Sequence, residues 1–221
     1  MTGKENPRVR VAFFHLEDPA LGEQIGYDLK ICSDDATLAD YLTALEAFAA
    51  ENLSDCLGCD GCCHERAPLT SLDIPTLALL LPDSNFPAHQ VAENFTQIIH
   101  NSDGAIDITI KRKANGACAF LDETNKCCAI HQNRPFVCRS HFCIPKSPQA
   151  QGLRSVIANF GTDEFIRFLI EEEAQGASPV LPQNIDKKDY PPTALDKKIC
   201  FDEVVLHQIL PPELWQRLRQ K

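Results

Sequence analysis

The sequence predicts an α+β fold, and three observations carry that prediction. Apolar residues alternate at 8–16 and 105–110, the period of a half-buried strand. Apolar stripes at helical spacing run through about 35–53, 70–81, 88–100, 161–174 and 197–209. The two kinds of segment do not follow one another in the strand–helix–strand order that a parallel sheet needs.

Residues 8–16 (Arg-Val-Arg-Val-Ala-Phe-Phe-His-Leu) alternate and then turn fully apolar, which predicts a strand, with 25–31 as its partner. Asp34 or Asp35 is expected to cap a helix whose stripe is Leu38, Leu42, Leu45, Phe48 and Ala49 and which ends near Leu53. Thr70-Ser71-Leu72-Asp73 sets an acid three residues after a hydroxyl, as a capping box does, and opens a helix reaching Leu81 before Pro82 stops it. A further helix over 88–100 carries Val91, Phe95, Ile98 and Ile99, and Ile106, Ile108 and Ile110 mark a half-buried strand. Residues 118–121 and 128–131 read as two short strands joined by a turn at 122–125. Arg134-Pro135 predicts a tight turn before Cys138. The helix at 161–174 is expected to turn Phe165, Phe168 and Leu169 inward and Glu171, Glu172 and Glu173 to solvent. Proline and polar residues over 176–193 predict a wrapped loop or linker. After the last stripe, Pro212 suits the opening of a terminal docking helix with Leu214, Trp215 and Leu218. No internal repeat or low-complexity tract is visible, and the expectation is a single domain, 1–221.

Hydrophobic residues make up 44%, enough to bury a core. The formal net charge of −10 argues against a nucleic-acid or anionic-membrane partner, which calls for a basic field. The compact basic run Lys111-Arg112-Lys113 reads as a solvated strand end. The first apolar stretch, 9–14, is interrupted by Arg10 and too short for a signal-peptide core, and no window reaches the length of a membrane helix. The expected location is the cytoplasm, where thiols stay reduced.

Eleven cysteines in such a compartment need an explanation other than disulfides, and an odd number leaves one over in any complete pairing. Nine of them lie between Cys56 and Cys143. Cys56, Cys59 and Cys62 are spaced C-x-x-C-x-x-C, which lets thiolates from one loop converge on one centre while backbone N–H groups turn toward sulfur. Gly58 and Gly61 suit that loop because they tolerate positive φ. A second group, Cys118, Cys127, Cys128, Cys138 and Cys143, can complete it. Neighbouring cysteines do not easily reach one metal atom, so Cys62 and Cys63 can serve different centres, and eight thiolates can form two four-cysteine sites. Arg66, Arg134 and Arg139 flank the cysteines and suit the negative charge of a thiolate site. His64, His131 and His141 lie beside cysteines and are expected in structural hydrogen bonds, with ligation as the alternative. No phosphate loop, nucleophile elbow or H-E-x-x-H sequence is present.

Taken together, Cys56-x-x-Cys59-x-x-Cys62-Cys63, Cys118-x-Phe-Leu-Asp122, Cys128-x-Ile-x-x-x-Arg134-Pro135-x-x-Cys138-Arg139 and Cys143 resemble the CxxCxxCC family of zinc- or iron-chelating domains. That family's helix start, Leu-Thr-x-x-Asp, is present as Leu69 to Asp73. The resemblance covers about 56–143 and implies a small cysteine-rich metal-binding core with short strands, surrounded by helices. An N-terminal strand and helix region (1–54) and a C-terminal helical region (150–221) lie outside it. Carried over position by position, it implies eight metal ligands: Cys56, Cys59, Cys62, Cys63, Cys118, Cys128, Cys138 and Cys143. Cys32, Cys127 and Cys200 are extra, and His131 stands where the family usually has tyrosine. Three readings follow. One is an iron–sulfur protein, with a [4Fe–4S] cluster and a redox or electron-transfer role. The second is a structural zinc module with one or two four-cysteine sites, iron ions held by the clustered cysteines being the alternative metal of the first reading. The third, carried by analogy with flagellin lysine methylase alone, is a cluster-dependent methyltransferase-like enzyme.

Overall fold

The computed structural model describes residues 8–18, 20, 22–53, 58–83, 85–100, 105–182 and 185–220, which fall into two units, each with its own core. The fold is α+β, with small antiparallel two-stranded sheets and helices.

The first unit comprises 1–55, 139–157 and 200–221. Strands β1 (Val9–Asp18) and β2 (Gly22–Ile31) form the hairpin expected from the alternation, in register from Val9 opposite Ile31 to Asp18 opposite Gly22. Helix α1 (Leu38–Asn52) buries Leu38, Leu42, Leu45 and Phe48, as its stripe predicts. Its cap is Thr37 rather than Asp34 or Asp35. The Thr37 side chain accepts the Asp40 N–H at 3.2 Å while Asp40 accepts the Thr37 N–H at 2.9 Å, a reciprocal bond that Asp34 and Asp35 are placed too early to make.

Helix α5 (Pro148–Ala174) begins well before the predicted 161, and its first residues, 148–157, belong to this unit. Its early turns mix Gln, Ser, Arg and Asn with the apolar residues, so the stripe is faint there. Helix α6 (Leu206–Ile209) is a single turn where a longer helix was expected, because its backbone instead pairs with 36–38: Leu38 donates to the Val204 carbonyl and Leu206 to the Ala36 carbonyl. Helix α7 (Pro212–Arg219) opens on Pro212 as predicted and buries Leu218.

The second unit comprises 56–138 and 158–199. Helix α2 (Ile74–Ala78) is preceded by a 3-10 turn at Ser71–Asp73 carrying the expected capping box, and it ends short of Leu81. Helix α3 (Pro87–Phe95) stops where the sequence reading continued to His100. Residues Thr96–His100 are instead strand β3, paired with β4 (Ile106–Ile110). Thr96, Ile98 and Ile99 are β-branched and prefer the extended pairing once a partner strand is near. The core joins Leu69, Leu77, Val91, Ile108, Phe165, Ile166 and Leu169, so α2, α3, β4 and the second half of α5 share one apolar interior.

Glu171, Glu172 and Glu173 do not form an idle solvated face. Glu172 accepts the N–H groups of Ala88 and His89 at 3.1 and 2.6 Å, satisfying the start of α3. Glu173 accepts from Val180 and Leu181, and Glu171 pairs with Arg167 and Lys187. These bonds hold the loop that follows α5 against it.

One close approach sets the position of α5 beside the segment that leads into the 3-10 turn. A Cβ on Gly161 would lie 2.4 Å from Thr70 Cβ and 3.1 Å from Thr70 Cα, while Thr162 Oγ1 donates to the Leu69 carbonyl at 2.9 Å. Gly161→Ala gains helix propensity of about 0.5–1 kcal/mol. The overpacking against Thr70, about 1–3 kcal/mol, is expected to outweigh it and leave a net loss. Thermal unfolding of the variant checks this, and a melting temperature at or above that of the wild type would refute it.

Candidate functional site

The cysteines of the second unit sit on short loops pinned by backbone hydrogen bonds rather than on long elements. The chain from Asp60 makes a single 3-10 turn (Gly61–His64), with Cys63 N–H on the Asp60 carbonyl and Glu65 N–H on the Cys62 carbonyl. Gly58 has φ +80°, the conformation its glycine was expected to supply, while Gly61 sits in the 3-10 turn instead. Residues 111–119 double back around Gly116: Lys113 N–H donates to Ala117 O at 2.7 Å and Ala119 N–H to Lys111 O at 2.9 Å. Strands β5 (Leu121–Asp122) and β6 (Cys127–Cys128) pair over two residues each, shorter than the predicted segments and placed after Cys118 rather than on it. The turn between them is closed by Asp122, whose carboxylate accepts from Thr124 N–H and Asn125 N–H. Helix α4 (Phe136–Arg139) is one turn carrying Cys138, whose N–H donates to the Pro135 carbonyl.

One bond ties the first cysteine motif to the second: Cys118 N–H donates to the Cys63 carbonyl at 2.8 Å. Electrostatic interactions link Cys62, Cys63, Cys118, Cys128 and Cys138 into one group. Cys63 senses Cys62, Cys118 and Cys128; Cys128 senses Cys118 and Cys62; Cys138 senses Cys118, Cys128 and Cys62. Cys118 and Cys138 also pack against the apolar core. Burial is the largest cause that pushes the Cys63 thiol up to about 12 and raises Cys118, Cys128 and Cys138; neighbouring thiols push Cys63, Cys128 and Cys138 further, and the Asp73 carboxylate adds to the rise at Cys138. Backbone N–H groups of Phe120 and Leu121 at Cys118, and of Ile130 at Cys128, act in the opposite sense. The amide-to-sulfur pattern expected of the first loop is thus found at the second group.

Cationic side chains lean the same way. Arg112 and Lys113 favour the Cys118 thiolate, and Arg134 the Cys128 thiolate. The run at 111–113 is therefore more than a solvated strand end: Arg112 donates to the His64 and Gly116 carbonyls, and Lys113 Nζ to the Leu121 carbonyl at 2.6 Å. The signal for this was the approach of two basic residues to Cys118 in sequence. Arg139 has a different role, with Nε and Nη2 both 2.8 Å from Glu46 Oε1 and the guanidinium over the Phe201 ring in the first unit.

The remaining predicted ligands are placed as follows. Cys59 is exposed, and Cys56 lies outside the described residues. Cys143 is exposed in the first unit, within electrostatic reach of Lys146. His64 Nε2 lies 3.9 Å from Asp60, and the His131 carbonyl accepts from Arg134. His141, in the first unit, is held down to about 4 by burial and by Lys146 and Arg154. Cys127 pairs its backbone with Asp122 in the β5–β6 ladder, and Cys32 and Cys200 lie in the first unit.

Among the described residues, no three His, Cys, Asp or Glu side chains already converge as a metal site. The donor set nevertheless fits a soft or borderline metal: five sulfurs from three motifs, Cys63, Cys118, Cys128 and Cys138 partly buried and Cys62 exposed, with N–H donors and cations that favour thiolate at Cys118 and Cys128. Neutral thiols have no reason to converge, whereas a bound metal displaces their protons and draws the thiolates together.

Comparison with known proteins agrees with the motif reading. Residues 55–156 match the CxxCxxCC family, described as a "putative zinc- or iron-chelating domain". The match takes in the five mutually sensing cysteines together with Cys56, Cys59 and Cys143, and it supports metal binding by this part of the chain. No curated protein and no solved structure matches the chain. No helix among the described residues is long and apolar enough to cross a membrane.

Proposed function

We propose that this CxxCxxCC-family segment holds zinc or iron in a thiolate centre built from Cys118, Cys128, Cys138 and one sulfur of the Cys62–Cys63 doublet, and that the metal locks the short loops of the second unit together. The observation that carries this reading is the Cys118–Cys63 backbone bond, which joins the first cysteine motif to the second, together with the packing of Cys118 and Cys138 against one apolar core. When bound, the metal supplies four strong links between loops that otherwise share few hydrogen bonds. The residues of the chain do the rest: amides and Arg112, Lys113 and Arg134 favour the deprotonated sulfurs, and the apolar core shields them. Cys56, Cys59 and the other member of the doublet are the ligands left for a second or enlarged centre.

A second reading, a [4Fe–4S] cluster with redox function, is favoured by the Cys56-x-x-Cys59-x-x-Cys62 spacing. Metal and acid-labile sulfide analysis of anaerobically purified protein, with a visible spectrum, separates the two. The expected result is about one zinc or iron per chain without sulfide. Iron with matching sulfide and a broad brown absorbance would give the cluster reading instead, and protein that neither retains nor takes up zinc or iron would overturn both.

A further inference from the structure

We propose that Asp73 is a positioning residue for Cys138: its carboxylate fixes the start of α4 and with it the place of that sulfur in the metal centre. This rests on the thiolate-centre reading above.

Asp73 is only 1% exposed, and a carboxylate so deeply buried must be well bonded. One oxygen accepts the Thr70 N–H and the Thr70 hydroxyl, both at 2.8 Å. The other accepts the Phe136 N–H at 2.7 Å, across 63 residues of sequence. Phe136 is the first residue of α4, and Cys138 lies two residues on, with its own N–H bonded to the Pro135 carbonyl. Phe136 and Val137 are both buried, so little freedom remains between the carboxylate and the sulfur. Thr70, at the other end of the link, is held by the close approach of Gly161. The Leu69–Asp73 motif is thereby joined to the Arg134-Pro135-x-x-Cys138 motif through one side chain.

The chain contains its own control. Thr37 and Asp40 form the same capping box at α1, with both Thr37 bonds on one Asp40 oxygen, but Asp40 is half-buried and also pairs with Arg8. A helix cap therefore does not require the burial that Asp73 undergoes. What Asp73 adds is the anchor on the cysteine-bearing turn, and charge-assisted bonds of this kind are the strong, directional ones.

The experiment is cobalt(II) titration of metal-free protein, read by the sulfur-to-cobalt charge-transfer band, for wild type, Asp73→Asn, Asp40→Asn, Cys138→Ser and the Asp73→Asn/Cys138→Ser pair. Asp73→Asn is expected to weaken cobalt binding by about 10- to 100-fold and to reduce the band. Asp40→Asn is expected to lower the melting temperature and leave affinity and band unchanged. The double variant is expected to bind no more weakly than Cys138→Ser alone. Hydrogen exchange of the Phe136 amide in metal-free wild type gives a readout that needs no variant, and strong protection is expected. Wild-type affinity and spectrum in Asp73→Asn, additive losses in the pair, or an unprotected Phe136 amide would each overturn the inference alone. A wild-type protein that binds no cobalt would overturn the metal-centre reading and this inference with it.

Discussion

Cys138→Ser should lower zinc affinity by roughly 100- to 1,000-fold, while Cys200→Ser should leave it unchanged. The magnitude follows from structural zinc sites, where about 10–16 kcal/mol is shared among four ligands, so that one thiolate accounts for about 3–4 kcal/mol. Serine keeps the shape but offers a hard, weakly acidic oxygen to a metal that prefers sulfur. Cys138 packs against the apolar core, senses Cys118, Cys128 and Cys62, and sits on a turn held from both sides. Cys200 is exposed in the first unit, beside Glu203. Competition against a chelator of known affinity measures both variants. Equal losses in the two, or no loss in Cys138→Ser, would remove Cys138 from the ligand set.

The same residue shows what could be read from the chain alone. Cys138 was legible as a candidate because its spacing from Arg134-Pro135 is local. Its dependence on Asp73 was not, since a bond spanning 63 residues leaves no periodic trace. Helix α1 was legible because it buries one face at its own period, and β1 because its apolar residues alternate, although among that strand's described residues only Val9 is buried. Residues 96–100 were misread as helix because Phe95, Ile98 and Ile99 satisfy a helical stripe as well as a strand, and the deciding factor was the partner strand β4. The opening of α5 was missed because its polar residues break the stripe. The glutamates at 171–173 look like a solvated run in sequence, and only the orphan N–H groups of α3 and of the loop after α5 give them partners. At the site, the C-x-x-C-x-x-C spacing drew attention to Cys59, yet the thiols that sense one another come from the doublet and the later motifs. Spacing reports which sulfurs are near in sequence, and the return of the chain through 118–138 decides which are near in space.

Metal removal should loosen the second unit unevenly. The cysteine loops have little structure of their own: β5 and β6 pair over two residues each, and Gly61–His64 is a single turn. An isolated two-residue ladder contributes little stability, so in the proposed centre links through sulfur would be the main added ties among 58–65, 118–128 and 136–138. The core formed by α2, α3, β4 and α5 is fastened differently, by buried Leu69, Leu77, Val91, Ile108, Phe165 and Leu169, and is expected to survive. Chelation under reducing conditions should therefore raise hydrogen exchange at least about tenfold in 58–65 and 118–128, corresponding to a local stability loss above about 1.4 kcal/mol, with Ile108 and 165–169 changing far less. The Phe136 amide is the exception within the site, because Asp73 holds it whether or not metal is present. Exchange measured by mass spectrometry before and after verified metal removal tests this. A uniform rise across the unit would mean that the metal supports the whole core, and no change in either loop would mean that thiolate links do not hold them.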